Sequence, residues 1–259
     1  MLELRRTALG QVGLCPEQQA NWDWIARHHA PPRTHHAPRD AGSTQDAPGE
    51  TVPHAEREEY SSAQDVPGET VPHAEREEYD AAGPAPFRVL HLFGYTGAAT
   101  LAAAAAGAEV THVDASRPAV AAARRNAALS GLATARIRWI VEDAVKYAGR
   151  ELRRGSRYDA VILDPPSYGH GAGGEPWVIE KDLPRLLELC GHLTAGRRRW
   201  VLLTCHTPQL DADCLRSMLA DSLTDGAPGT FSAGPLVLST AAGRRLPSGV
   251  VVRWEAVAQ

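Results

Sequence analysis

Five short apolar runs recur between residues 87 and 204, and a helical pattern separates each run from the next. Each run has the length and the residue types of a β-strand. Strands that alternate with helices need right-handed crossovers, which place the strands parallel in one sheet and the helices on both faces. The runs are Phe87–Phe93, Glu109–Val113, Ile137–Val141, Tyr158–Leu163 and Trp200–Thr204.

Two further runs, PLVLST and GVVVRWEAV, end the sequence and are joined by AAGRRLPS. That connection is too short for a parallel crossover, so the two runs should pair antiparallel at one edge. The sequence therefore predicts an α/β fold: a Rossmann-like, seven-stranded, mostly parallel sheet with helices on both faces and an antiparallel edge hairpin.

Glycines and acids follow the strands at their carboxyl ends, which is where ligands bind in an open α/β sheet. A strand-end acid is unfavourable unless it is paired or faces a site. The five ends carry Gly94-Tyr95-Thr96-Gly97, Asp114, Glu142-Asp143, Asp164-Pro165-Pro166 and Cys205-His206.

The first two of these ends have the spacing of a nucleoside site. Gly94 and Gly97 allow a tight turn and a close approach to a ligand, and Asp114 lies 20 residues after Gly94, where a carboxylate meets ribose hydroxyls. GYTGAA does not match the G-x-G-x-x-G of dinucleotide sites, so a nucleoside without phosphates is favoured. Asp143 is then available to accept a hydrogen bond from an adenine amine.

With these motifs in view, the chain resembles the class I S-adenosylmethionine-dependent methyltransferases. HLFGYTGAATLAAAAAGAEVTHVDAS, VEDA and ILDPPSYG carry the resemblance, which runs from about residue 87 to 254. Within that class it resembles most the group of bacterial large-subunit ribosomal RNA methyltransferases of the cytosine-5 type. GQVGLCPEQQANW, at residues 10–22, resembles the short G-x-x-G-x-x-x-x-Q element that precedes the first strand in this group.

The resemblance implies S-adenosyl-L-methionine as the cofactor and RNA as the partner, with ribosomal RNA favoured. It implies that Asp114 binds the ribose of the cofactor, that Asp143 binds its adenine and that Gln18 folds back over it. The methionine end would lie in the turn made by Phe93, Gly94, Tyr95, Thr96 and Gly97. The RNA-recognition domain that this group normally carries at its N-terminus has no counterpart in the sequence.

The resemblance places Asp164 to Ser167 beside the methyl group. Methyl transfer needs an aligned nucleophile and a place for any proton that it loses. Two prolines remove two amide donors, so Asp164 and the carbonyls around Pro165 offer acceptors, which suit an amine or a base edge. Tyr168 could stack on a planar base, or pack on the surface. The glycines that follow it predict a mobile lid.

Cys205 is a candidate nucleophile by resemblance. Its Thr-Cys sequence resembles the nucleophile loop of RNA cytosine-5 methyltransferases, although His206 replaces the expected serine. His206 would lower the pKa of the thiol only if the two side chains converged, and neighbours on a strand point to opposite faces. The alternative is a small buried residue at a strand end.

The residues before the first strand have a different composition. QDAPGETVPHAEREEY recurs 19 residues later with a single substitution, and residues 43–80 hold eleven acidic residues and two arginines. Such a segment buries too little surface to offset its ordering entropy. We therefore predict three parts: a cofactor-covering segment at 1–30, a disordered acidic linker with the duplicated 19-residue repeat at 31–84, and the S-adenosylmethionine-binding methyltransferase domain at 85–259.

The remaining composition limits the class of protein. No stretch approaches the length and apolarity of a membrane span, the first residues lack the apolar core of a signal peptide, and the four cysteines show no zinc-ligand spacing. A reduced, cytoplasmic enzyme without a metal is the simplest interpretation.

The predicted function is an S-adenosylmethionine-dependent methyltransferase that acts on RNA. The alternatives are a methyltransferase for a small molecule or protein side chain, a catalytically silent cofactor- or RNA-binding module and, less favoured, a nicotinamide oxidoreductase. The oligomeric state is left open.

Overall fold

The structure is a computed structural model that describes residues 15–29, 85–170, 176–240 and 242–257. Its helices are α1 (Gln19–His29), α2 (Ala98–Ala105), α3 (Arg117–Leu129), α4 (Ala144–Arg153), α5 (Ile179–Thr194) and α6 (Ala212–Leu219). Its strands are β1 (Arg88–Leu92), β2 (Glu109–Asp114), β3 (Ile137–Val141), β4 (Ala160–Leu163), β5 (Tyr168–His170), β6 (Pro176–Val178), β7 (Trp200–Cys205), β8 (Gly229–Ser239) and β9 (Arg245–Ala256).

The main sheet has seven strands in the order β3-β2-β1-β4-β7-β9-β8. The first five are parallel, whereas β9 runs antiparallel to both β7 and β8. This arrangement confirms the predicted Rossmann-like sheet and its antiparallel edge hairpin. The chain reverses its direction of winding between β1 and β4, so the carboxyl ends of these two strands border the crevice where ligands bind in such sheets.

Polar caps start three of the helices, as their residue types favour. Ser116 accepts a hydrogen bond from the Ala119 amide and caps the start of α3. Asp143 caps α4 through the Lys146 amide, at 2.9 Å. Asp211 caps α6 in the same way.

Two hydrophobic cores lie on opposite faces of the sheet, because alternate residues of a strand point to opposite sides. Leu90 and Leu92 of β1 belong to one core, which β4, β7 and helices α4, α5 and α6 share. Val89 belongs to the other core. This second core includes Trp24 and Ile25 of α1, so the helix that precedes the predicted linker packs in the same compact unit as the strands of the main sheet.

Strands β5 and β6 form a second, two-stranded antiparallel sheet, in which Tyr168 pairs with Val178. The sequence did not predict it, because three-residue strands next to glycine and proline carry too little pattern. The predicted lid glycines at 171, 173 and 174 lie outside the described residues, between these two strands. The predicted linker, residues 31–84, also lies outside them.

Candidate functional site at the carboxyl edge of the sheet

The turn after β1 has an unusual backbone. Phe93 and Tyr95 have φ values of 57° and 46°, and Gly97, which begins α2, has a φ of 89°. Residues other than glycine rarely adopt such φ values, and backbone strain of this kind concentrates at ligand sites. Gly94 is required for space rather than for its φ, since a Cβ there would lie 2.4 Å from the ring of His112. The turn is therefore a tightly packed backbone loop over the sheet.

Asp114 connects this turn to the end of β2. One carboxylate oxygen accepts a hydrogen bond from the Tyr95 amide and the other from the Ser116 amide, both at 2.8 Å. Burial raises the pKa of Asp114, and the two amide hydrogen bonds oppose that rise. Each oxygen keeps a lone pair, so the carboxylate has the acceptors that a vicinal diol requires.

The acids after β3 lie next to Asp114 along the same edge, since Asp114 pairs with Val141 in the sheet. Asp143 is half-buried and uses one oxygen to cap α4. Glu142 forms an ion pair with Arg150 at 2.5 Å. Asp143 thus retains acceptor capacity, whereas Glu142 is neutralised by its partner.

Asp164, directly after β4, is surrounded by donors. Its Oδ1 accepts a 2.5 Å hydrogen bond from Thr204 Oγ1 and lies 3.3 Å from His206 Nε2. Its Oδ2 accepts a 3.4 Å hydrogen bond from Gln18 Nε2. His206 Nδ1 donates in turn to the Ser248 carbonyl. The hydrogen bond with Asp164 is the main reason why the pKa of His206 rises to about 9, so this imidazole carries a positive charge at neutral pH.

Gln18 is linked to strand β9 by a chain of polar contacts. Asn21 Nδ2 donates to Gln18 Oε1 at 2.6 Å, and the Arg253 guanidinium donates to Asn21 Oδ1. The same guanidinium lies over the Trp24 ring, 5.3 Å from its centroid. Gln18 and Asn21 are buried. The start of α1 is thereby fixed against Asp164.

The remaining residues of the Asp-Pro-Pro turn have defined partners. The Pro166 carbonyl accepts a 2.7 Å hydrogen bond from the buried Trp177 indole, and Ser167 Oγ accepts one from Thr207. Pro165 is buried, whereas Tyr168 is 60% exposed. The Pro166 carbonyl therefore already accepts one hydrogen bond within the protein, and Asp164 is the charged acceptor of the turn.

Cys205 ends β7, the strand that pairs with β4, but its side chain lies on the opposite face of the sheet from Asp164. Its side chain is 1% exposed and packs in the core with helices α5 and α6, and Sγ accepts a hydrogen bond from the Thr207 amide. His206 projects to the opposite side, as the strand alternation predicted. The cysteine that adjoins Asp164 is Cys15, and burial together with that acid raises the pKa of its thiol to about 12.

A cavity collects most of the predicted cofactor residues. Its lining includes Gln18, the turn from Phe93 to Gly97, and Asp164, whereas Asp114 and Asp143 lie along the edge beyond it. Sequence reasoning missed four residues that shape this region, since only the fold brings them near Asp164: Asn21, Trp177, Thr204 and Arg253. Among the described residues, no group of three metal-ligating side chains occurs, and no helix is long and apolar enough to cross a membrane.

This fold and site define a class: an α/β protein with a nucleoside-type site at the carboxyl edge, formed by a glycine turn, a strand-end acid and an Asp-Pro-Pro turn. The model of the S-adenosylmethionine-dependent methyltransferase family matches residues 76–223. The chain belongs to this family. The predicted family and its cofactor, S-adenosyl-L-methionine, are thereby confirmed.

Similar proteins agree with this assignment. A solved S-adenosylmethionine-dependent methyltransferase from Agrobacterium tumefaciens is 33% identical and superposes with a TM-score of 0.73, over 99% of this chain and 69% of that one. Ribosomal RNA large subunit methyltransferase I of Aeromonas salmonicida is 39% identical over 82 residues, 31% of this chain and 21% of that protein. Ribosomal RNA large subunit methyltransferase K of Neisseria meningitidis is 37% identical over 84 residues, 32% of this chain and 24% of that protein. The matches thus span about a quarter or less of these two curated relatives.

Proposed function

We propose that the chain transfers a methyl group from S-adenosyl-L-methionine to RNA, with ribosomal RNA as the favoured substrate. The observation that carries the proposal is the Asp164 carboxylate, which three side chains hold at the edge of the cofactor cavity. The two relatives named for large-subunit ribosomal RNA support the substrate class.

The site residues fit the cofactor. The turn from Phe93 to Gly97 would hold its methionine end, and Asp114 would accept hydrogen bonds from the ribose diol with the lone pairs that its two amide donors leave. Asp143 would accept from the adenine amine. Gln18, fixed by Asn21, would cover the cofactor from α1, which makes residues 1–30 the covering segment in this proposal.

The cofactor, when bound, supplies an electrophilic methyl group on a positively charged sulfur. The chain must align a nucleophile with the methyl carbon and accept any proton that the nucleophile loses. The Asp164 carboxylate would receive a hydrogen bond from the substrate, since His206 and Thr204 fix its orientation without filling all of its lone pairs. Tyr168, which is exposed and follows the buried Pro165 by three positions, would stack on the base.

We further propose that the methyl acceptor is a nitrogen on a base edge. An acceptor group such as Asp164 suits an N–H nucleophile, whereas methylation of a ring carbon needs a thiolate that reaches the base. The Cys205 thiol lies in the apolar core instead. Methylation of a ring carbon through Cys205 is the alternative that the test distinguishes.

The test is transfer of labelled methyl from S-adenosyl-L-methionine to three substrate pools: unmodified ribosomal RNA transcripts, a protein extract and a metabolite extract. We expect label in RNA, and an Asp164→Asn enzyme slower by about a hundredfold or more. Asp213→Asn is the matched control, because that acid is exposed on α6. Label confined to protein or metabolites would overturn the RNA assignment.

Nucleoside analysis of the product identifies the acceptor atom. A methyl group on a nitrogen, with full activity in Cys205→Ala, is the expected result. Label in 5-methylcytosine together with an inactive Cys205→Ala enzyme would replace the nitrogen proposal with the covalent one.

A further inference from the structure

The hairpin of β8 and β9 extends past the edge where the candidate site lies. Cys205, the last residue of β7, pairs with Val250, so residues 245–249 of β9 continue beyond the end of the parallel strands. At the rise of a strand, this overhang measures about 15 Å. We name residues 236–240 and 242–249 the arm.

The base of the arm is hydrogen-bonded to His206, the residue that contacts Asp164. Strand pairing shifts between Leu236 and Val237, so Ser248 is an extra residue in β9, and its carbonyl accepts the hydrogen bond from His206. Such bulges re-aim one residue of a strand. Because His206 also contacts Asp164, a continuous polar chain joins the arm to the acid at the site.

The arm carries positive charge only. The sequence contains no acidic residue between Asp225 and Glu255, whereas it contains three arginines there. Arg244 and Arg245 are exposed near the tip, and within the described part of the chain neither forms an ion pair. Leu246, next to them, is 59% exposed. A cationic, partly apolar strand that overhangs a methyl-transfer site suits a polyanion.

An exposed aromatic ring follows the same acid four residues later in the chain. Tyr168 begins β5, and the turn before it is joined to the loop after β7 by the Thr207–Ser167 hydrogen bond of 2.7 Å. Hydrogen bonds therefore join the loops around Asp164 both to the turn that precedes this ring and to the base of the arm with its cations. Single-stranded nucleic acid is bound by this combination of features.

The other basic surface of the molecule is less suited to RNA. A groove at the amino ends of the strands contains several arginines, but two of them are already engaged: Arg197 with the Asp159 carboxylate, and Arg198 with backbone carbonyls. The groove also contains four acids, namely Asp159, Glu188, Asp221 and Asp225. It lies opposite the cofactor cavity.

We propose that the arm binds the phosphate backbone of single-stranded RNA beside the target base, with Arg244 and Arg245 on the phosphates. The inference rests on the proposed function, because it assumes that the base enters at Asp164. It adds a surface on the arm that binds the phosphate backbone of the RNA.

The experiment measures binding of a short fluorescein-labelled oligouridine to the full chain by anisotropy over a series of salt concentrations. Each cation lost from a single-strand contact lowers the slope of log Kd against log salt by about 0.7. We expect Arg244→Ala/Arg245→Ala to lower the slope by about 1.4 and to weaken binding at low salt. Arg185→Ala/Arg199→Ala is the matched control, since both residues are exposed in the opposite groove.

Unchanged binding by the arm variant would overturn the proposal, as would an equal loss in the control. Equal competition by an RNA duplex of the same length would overturn the preference for single strands. Calorimetry with S-adenosyl-L-methionine keeps the two proposals apart: a chain that binds RNA through the arm but neither binds the cofactor nor transfers methyl contradicts the proposed function alone.

Discussion

At the scale of single residues, the adjacent pair Cys205-His206 has two unrelated environments. Alternation along the strand turns the thiol into the core and the imidazole towards Asp164. The sequence placed both residues at the correct strand end, and the alternation argument separated them correctly. It could not reveal that His206 joins an acid from β4 to a carbonyl from β9, because those partners are distant in sequence.

The His206–Asp164 pair predicts a pH-dependent stability. The raised pKa, about 9 against an ordinary 6.5, means that the folded state holds this proton more tightly than the unfolded state. The pair therefore contributes its full stabilisation of the folded state below pH 6.5. This contribution to the free energy of unfolding is lost as the pH rises through about 9. His206 is about one-third exposed, so solvent screening limits the effect to about 1 kcal/mol.

Urea unfolding of the native chain and of His206→Gln checks this expectation. The native chain should exceed the variant in free energy of unfolding near pH 6.5, and the difference should shrink towards pH 9. A difference that stays constant over this interval would show that the imidazole is not charged in the folded protein.

At the scale of elements, the junction of β7 and β9 depends on one glycine. Gly249 has a φ of 126°, and a Cβ there would lie 2.4 Å from the Cys205 carbonyl oxygen. The close approach of Gly249 to the Cys205 backbone allows the carbonyl of the neighbouring Ser248 to accept a hydrogen bond from His206. A methyl group would force the strands apart at the base of the arm.

Gly249→Ala should lower the free energy of unfolding by roughly 3 kcal/mol, because a backbone clash adds to the backbone strain. Gly155→Ala is the control: its φ is also positive, but its Cβ would meet open space, and strain alone costs about 1 kcal/mol. Chemical denaturation measures both. Equal losses would mean that the strands accommodate a side chain at this position.

Elements differed in how well they could be predicted. The five parallel strands have apolar runs long enough to identify, and the first turn of α3 carries its own cap and proline. Strands β5 and β6 were missed because tertiary contacts hold them: the Trp177 indole bonds the Pro166 carbonyl, and its ring lies 5.0 Å from that of Phe93. A three-residue strand formed in this way has no period to recognise.

At the scale of the whole molecule, helix α1, which precedes the predicted linker, is part of the folded unit. Trp24 is 5% exposed, lies edge-on to Trp200 at 5.4 Å and stacks on His28 at 4.2 Å. His28 in turn contacts Glu255 of β9 at 2.9 Å. The fold thus joins residues that more than 170 positions separate in sequence.

Trp24→Ala should lower the free energy of unfolding by about 3–5 kcal/mol, because it removes a large buried ring from the core. Trp22→Ala, which removes a half-buried ring from the same helix, should cost less. Thermal or urea unfolding of the full chain distinguishes the two. If both variants lost a similar, small amount of unfolding free energy, α1 would not be docked on the sheet in solution.

The sequence by itself determined the class of fold, the family and the edge of the sheet where the chemistry lies. The fold class and the edge follow from local information: hydrophobic periods, crossover lengths and the residues that end each strand. The family follows from the resemblance of the strand-end motifs to those of known methyltransferases. The tertiary structure alone decided which side chains meet. Asp164 acquires its donors from Gln18 just before α1, from Thr204 of β7 and from His206 just after it, and Arg253 reaches it through Asn21 and Gln18, across 232 positions in the chain. Such contacts depend on strand order and register, which no local pattern encodes.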